Sequence, residues 1–288
     1  MNKQKKIISH RFLNKHTVLG AILLTAFGML FSEGVFGSLI GLALSMAFSS
    51  RDVVSYGMIP GALLVLAIHK RWFYPEFEGN LRGGRPGLGF RLALFALIMV
   101  LLYPVHILKN PADYGPPTAA NLGLALMAGF CEETAFRGLP LSYLMRQWKD
   151  EKKIPAALLL TSLLFALVHG SNLLGGANLG STLVQIVFAL LIGFFLGAIY
   201  LRSGNLWPAI VVHVLNDVIA FLNTTAISSG TIVGGVAAED LADLGLCAVV
   251  GCIGLWLVRP AKRAEILALW REKWKPLPVT ADSSAEEA

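Results

Sequence analysis

The sequence predicts an all-α, polytopic membrane protein with about eight transmembrane helices. Three observations predict it. The 288 residues are 55% hydrophobic and 15% charged, with a mean hydropathy of +0.65, whereas soluble domains carry about 25% charged residues. Eight apolar stretches recur, near 17–50, 53–69, 88–107, 119–147, 154–170, 179–201, 206–223 and 241–258, and about 20 apolar residues cross a bilayer core. Finally, the basic residues between these stretches alternate in density, as the positive-inside rule requires.

Taken in order, the amino-terminal segment 1–16 is a basic cytoplasmic tail holding Lys3, Lys5, Lys6, Arg11 and Lys15. The first apolar stretch is overlong and is interrupted by Ser32-Glu33-Gly34. It is either one broken helix or a span plus an interfacial piece. Ser45-Met46-Ala47 is only a weak match to a cleavage site, and no cleavage is expected. The loop Trp72–Phe90, aromatic and Gly-rich, lies along the inner interface, and the outer loop Lys109–Thr118 holds three prolines. The stretch 154–170 is short for a span. With an even number of spans both termini are cytoplasmic, and 21 of the 24 Lys and Arg residues lie on that side. Arg51 and Lys109 are outside, and Arg137 is within a span. Two full spans in the first stretch would destroy that bias. The net charge of +6 therefore sets topology, and no nucleic-acid partner is expected. Residues 17–259 form a single transmembrane domain with its chemistry at about 119–223. Residues 260–288 form a cytoplasmic tail whose end, from Pro276, is disordered in composition. Cys131, Cys247 and Cys252 all fall in apolar segments with no zinc-type spacing.

Charges inside the spans carry the chemistry. Glu132, Glu133 and Arg137 sit within the apolar segment Asn121–Met145, where each charge costs roughly 2.5–3.5 kcal/mol on insertion scales. Glu133 and Arg137 are four apart and share a helix face; Glu132 is rotated away and has no such partner. Phe165 and His169 share a face of the fifth span, as do His213 and Asp217 in the seventh, with Asn216 alongside. His10, His16, His69 and His106 lie in tails, loops or span ends. Each intramembrane piece has a bland explanation: a surface ion pair, a satisfied core histidine, or interhelical hydrogen bonding by Asn216 and Asp217. Apolar flanks remove the first, and the pieces together weaken the others. Two imidazoles and a free carboxylate suit two chemistries. Glu132 can act as general base on a water attacking an amide, or Glu and His side chains can hold a metal that activates the water.

The segment Cys131-Glu132-Glu133-Thr134-Ala135-Phe136-Arg137-Gly138 resembles the EExxxR motif of the CPBP intramembrane proteases, also called the Abi or type II CAAX prenyl protease family. Phe165–His169 is similar to the family's FxxxH motif. His213–Asp217 is similar to its third motif, and Leu206-Trp207-Pro208 precedes it as is typical. The resemblance covers roughly Ala119 to Ala220. It implies an intramembrane endopeptidase in which Glu132 activates water, His169 and His213 bind or polarise it, and Glu133 partners Arg137. Asp217 then steadies the oxyanion or a histidine. That last position is often Asn in the family; an ionised Asp does not donate, so Asp217 is protonated, Asn216 donates, or Asp217 supports His213 or a metal. A metal-dependent form would place one divalent ion, zinc first, on Glu132, His169 and His213; a glutamate-type form needs none. The implied partners are the lipid bilayer and a membrane-associated peptide or protein, either a CAAX-type tail or a precursor peptide. A bacterial chain of this kind resides in the inner (plasma) membrane. The competing classes are a non-enzymatic immunity or adaptor protein and a proton-coupled transporter, although no repeat of the kind transporters carry is visible. All four groups, Glu132, His169, His213 and Asp217, are expected around one cavity open to cytoplasmic water.

Overall fold

The overlong first stretch folds as one helix. α1 spans Thr17–Phe48, 32 residues, and its middle, Leu30–Gly37, is π-helical between two α-helical arms. The π segment contains Ser32-Glu33-Gly34, so the interruption is a widened turn and not a break. Ser32 Oγ donates to the Gly28 carbonyl (2.6 Å), which satisfies a hydroxyl that has no water to turn to in an apolar helix. The structure, a computed structural model, describes residues 13, 15–96, 107–108, 111–222 and 238–274. Most of the amino tail, much of the 88–107 stretch, Lys109, the end of the 206–223 stretch and the terminal Lys275–Ala288 lie outside the described residues.

The chain continues through α2 (Met58–Ile68), α3 (Pro86–Ala93), α4 (Ala119–Glu133), α5 (Pro140–Gln147), α6 (Ile154–Val168), α7 (Leu179–Ser203), α8 (Trp207–Ala220), α9 (Ala238–Leu257) and α10 (Pro260–Lys273). Their limits follow from local chemistry. Prolines open α3, α5, α6, α8 and α10 in the first turn, where a missing N–H costs nothing. Thr118 caps α4 by accepting from Asn121 N (3.1 Å), and Asn178 caps α7 by accepting from Gly180 and Ser181. Gly204, in the left-handed region at φ 63°, ends α7.

All regular structure among the described residues is helical, as expected. By length and composition, three helices can cross a membrane: Thr17–Phe48, Glu151–Gly175 around α6, and α7; a fourth is added if α9 and α10, bent by 67°, count as one span. That is fewer than the eight expected from apolar stretches. The difference has local causes. The 119–147 stretch is divided by a π turn at Thr134–Gly138 and by Pro140, α8 has 14 residues, and 88–107 runs out of the described residues. Pro260–Lys273, assigned to the cytoplasmic tail from sequence, is a packed helix. Trp270 is fully buried and its Nε1 donates to the Leu201 carbonyl (3.0 Å). Phe77 and Trp274 stack at 4.2 Å and form an isolated β-bridge. Lys273 Nζ donates to the Arg82 carbonyl (3.0 Å) and reaches Glu78 (3.3 Å). α10 and the aromatic loop after α2 thus close over the ends of α7 and α8.

Two close approaches position the site. A Cβ on Gly28 would lie 2.7 Å from the Ala135 Cα, so α1 meets the segment after α4 backbone to backbone. At Gly129 a Cβ would overlap Val214, so α4 and α8 touch there. α7 packs against α6 and α9.

Candidate active site

Glu132 and Glu133 are the last two residues of α4, and Arg137 follows in the π turn Thr134–Gly138. The wider turn keeps Arg137 alongside Glu133. Nη1 donates to Glu133 Oε1 at 2.8 Å, with both side chains fully buried. The guanidinium lies over the Phe165 ring, 4.2 Å from its centroid, where the ring face attracts a desolvated cation.

The same Glu133 oxygen also takes His213 Nδ1 at 2.8 Å. A carboxylate engaged by arginine only accepts, so Nδ1 carries the hydrogen. This orients the imidazole and turns Nε2 the other way. Nε2 lies 3.6 Å from Glu132 Oε2 and 3.5 Å from Asp217 Oδ2. Asn216 Nδ2 donates to Asp217 Oδ1 (3.1 Å). Asp217 thus lies beside His213, and the Asn216 amide is directed at Asp217. The side chain of Glu132 is 22% exposed and that of Glu133 is 0%. One carboxylate is consumed by Arg137 and His213; the other keeps an open face.

His169 stands at the carboxyl end of α6, with Nδ1 donating to the Phe165 carbonyl (2.9 Å). Phe165 joins it to the rest: His169 and His213 pack edge-to-face on that ring, at 5.1 and 5.8 Å between centroids. His169 also lies within electrostatic reach of His213 and Asp217. Residues from α4, α6 and α8 therefore converge on one place. The set expected to hold a metal, Glu132 with His169 and His213, does not form one donor cluster: among the described residues no three His, Cys, Asp or Glu groups are arranged to hold an ion. Both Nδ1 atoms are engaged, by the Phe165 carbonyl and by Glu133, which leaves each Nε2 free, and Phe165 stands against both rings.

Two features are not read from spacing alone. The Glu133–His213 bond joins residues 80 apart, a tertiary contact without local signature. Glu33, seen in sequence only as an interruption of the first stretch, lies within electrostatic reach of Glu132. Its signal was a carboxylate in an apolar run.

A family model described as "Type II CAAX prenyl endopeptidase Rce1-like" matches residues 115–219. No curated protein and no solved structure matches the chain. The matched segment runs from just before α4 almost to the end of α8 and contains all three motifs and every residue of the cluster; over it the chain is similar to type II CAAX prenyl endopeptidase-like proteins, which supports the CPBP resemblance seen in the motifs.

Proposed function

We propose that this protein is an intramembrane endopeptidase in which Glu132 activates the attacking water directly. The observation that carries the reading is the division of labour around His213. Its Nδ1 is fixed by the buried Glu133–Arg137 pair, while its Nε2 addresses the open carboxylate Glu132 and Asp217. A base must be oriented and yet free, and Glu132 meets both conditions.

In the reaction, a water beside Glu132 gives up a proton to its carboxylate as the water oxygen bonds to the scissile carbonyl carbon. The carbonyl oxygen gains negative charge, and in this reading the imidazoles of His169 and His213 polarise water and stabilise that charge. Collapse of the intermediate breaks the C–N bond, and Glu132 returns its proton to the leaving nitrogen. Asp217, anchored by Asn216, holds His213 from the side opposite Glu133. Arg137 does not reach substrate; it holds Glu133 in place. Hydrolysis in this form proceeds without a resident metal.

The family resemblance supports a membrane-associated substrate, either a CAAX-type carboxyl terminus or a precursor peptide, and supports catalysis over an adaptor or transporter role. Both termini and the opening of the site face the cytoplasm in this reading. The test uses full-length protein in liposomes and two internally quenched peptides ending in a CAAX sequence, one prenylated on cysteine and one not. Cleavage of either peptide, lost in Glu132→Gln protein of equal abundance, is expected. Cleavage unchanged by Glu132→Gln overturns the assignment.

A further inference from the structure

The first span contributes a feature that the reaction above does not use. Glu33 lies midway along α1, too far from either end for its short side chain to reach an interface. It is half-buried and sits in the π-helical segment Leu30–Gly37. π turns inside regular helices are frequent at functional sites.

Packing defines where Glu33 points. Gly28 meets Ala135, and Ser32 meets Cys131. Contact positions that rise on one helix while they fall on the other describe antiparallel neighbours. In such a pair the residue following each contact residue lies on the same side of the interface, as e positions do in antiparallel coiled coils. Glu33 follows Ser32, and Glu132 follows Cys131. The two carboxylates therefore share one side and one depth. Their electrostatic coupling agrees with this placement. The register is tight on both flanks: a Cβ at Gly61 would overlap the Ser32 carbonyl, and Cys131 Sγ contacts the Met58 carbonyl at 3.5 Å. α1 is thus wedged between α2 and α4 with Glu33 held at the level of Glu132.

We propose that Glu33 completes the site from outside the family-matched segment, accepting the second hydrogen of the water that Glu132 deprotonates. This rests on the endopeptidase reading. A water has two hydrogens. One passes to Glu132 as the oxygen attacks; the other stays on the oxygen and ends in the product acid. An acceptor for that second hydrogen fixes the rotation of the water and aims its lone pair at the carbonyl carbon. Glu33 gains and loses no proton in the step.

Two measurements decide it. In liposomes with the quenched CAAX peptides, Glu33→Leu is expected to lower kcat by about 100-fold, the scale of misplacing a reacting group by about an ångström, with KM changed less than about twofold. Glu33→Gln, which keeps a carbonyl acceptor, recovers most of that loss. Melting temperatures in detergent stay close to the parent for both. Full kcat in Glu33→Leu alongside inactive Glu132→Gln overturns this proposal and leaves the endopeptidase reading standing. Activity in Glu132→Gln overturns the reading itself. The second measurement needs no substrate. In a chain with Cys131, Cys247 and Cys252 replaced by Ala, the pair Glu33→Cys with Glu132→Cys should be joined by a short bifunctional methanethiosulfonate in membranes. The pair Gly34→Cys with Glu132→Cys, in which position 34 faces away, should not. Failure to join 33 with 132 overturns the shared position whatever the activity.

Discussion

At the scale of single residues, the two adjacent glutamates differ by what their neighbours demand of them. Glu133 is held by a guanidinium and an imidazole on one oxygen, fully buried. Replacing it with Gln leaves Arg137 an uncompensated charge in low dielectric, at a cost of roughly 3–5 kcal/mol. Because the same oxygen orients His213, Glu133→Gln should lose activity as well as detergent stability. Glu132→Gln should lose activity alone, since a partly open carboxylate that meets His213 only at 3.6 Å contributes little to folding. Circular dichroism melts and initial rates on the same preparations separate the two. A rate loss in Glu133→Gln without any loss of stability would show that the pair is not structural. The histidines carry the metal question. With the imidazoles arranged around Phe165 and no three donors converging among the described residues, cleavage should survive exhaustive chelation, with less than stoichiometric metal by elemental analysis. Reversible loss on chelation, restored by zinc, would instead place an ion with His169 and His213.

At the scale of helices, the site depends on small residues where backbones meet. A Cβ at Gly129 would overlap Val214, one residue after His213. Gly129→Ala should destabilise the protein by about 1–3 kcal/mol, the usual cost of overpacking, and should lower kcat because α8 carries His213 and Asp217. Gly175→Ala, where a Cβ would meet nothing, is the control. Equal behaviour of the two variants would remove the close α4–α8 approach from the account. The all-helical class and the Glu133–Arg137 pair were legible in sequence, because hydropathy and the i to i+4 spacing are local; the number of spans was not. What was illegible followed from tertiary packing. The π turn at Thr134–Gly138 has no sequence signature, yet it divides an apolar stretch that reads as one span. The Glu133–His213 bond and the level of Glu33 with Glu132 arise only when α1, α4 and α8 meet. Pro260–Lys273 reads as a tail because Lys262, Arg263, Arg271 and Lys273 dominate it; Trp270 and Leu201, which dock it, are separated by 69 residues.

At the scale of the whole molecule, charge and packing meet on one side. The basic loops that the positive-inside rule assigns to the cytoplasm include the segment Lys70–Arg91 and the helix α10, and these two are fastened together by Phe77, Glu78, Trp270, Trp274 and Lys273. Arg85 also pairs with Glu265 at 2.8 Å, and Asn205 donates to the Gly83 carbonyl (3.1 Å) just before α8 begins. These basic segments therefore brace the start of the helix that carries His213. An unanchored tail would be dispensable; a braced helix is not. Deleting residues after Arg259 should lower both detergent stability and cleavage, whereas deleting only from Pro276 should change neither. The orientation is tested in the same cells with reporter fusions. Fusions after Lys152 and after Arg259 are expected to report the cytoplasm, and a fusion at Ala112 the opposite side. If Arg259 reports outside, the basic loops face the wrong compartment, and water cannot reach Glu132 from the cytoplasm along the side they define.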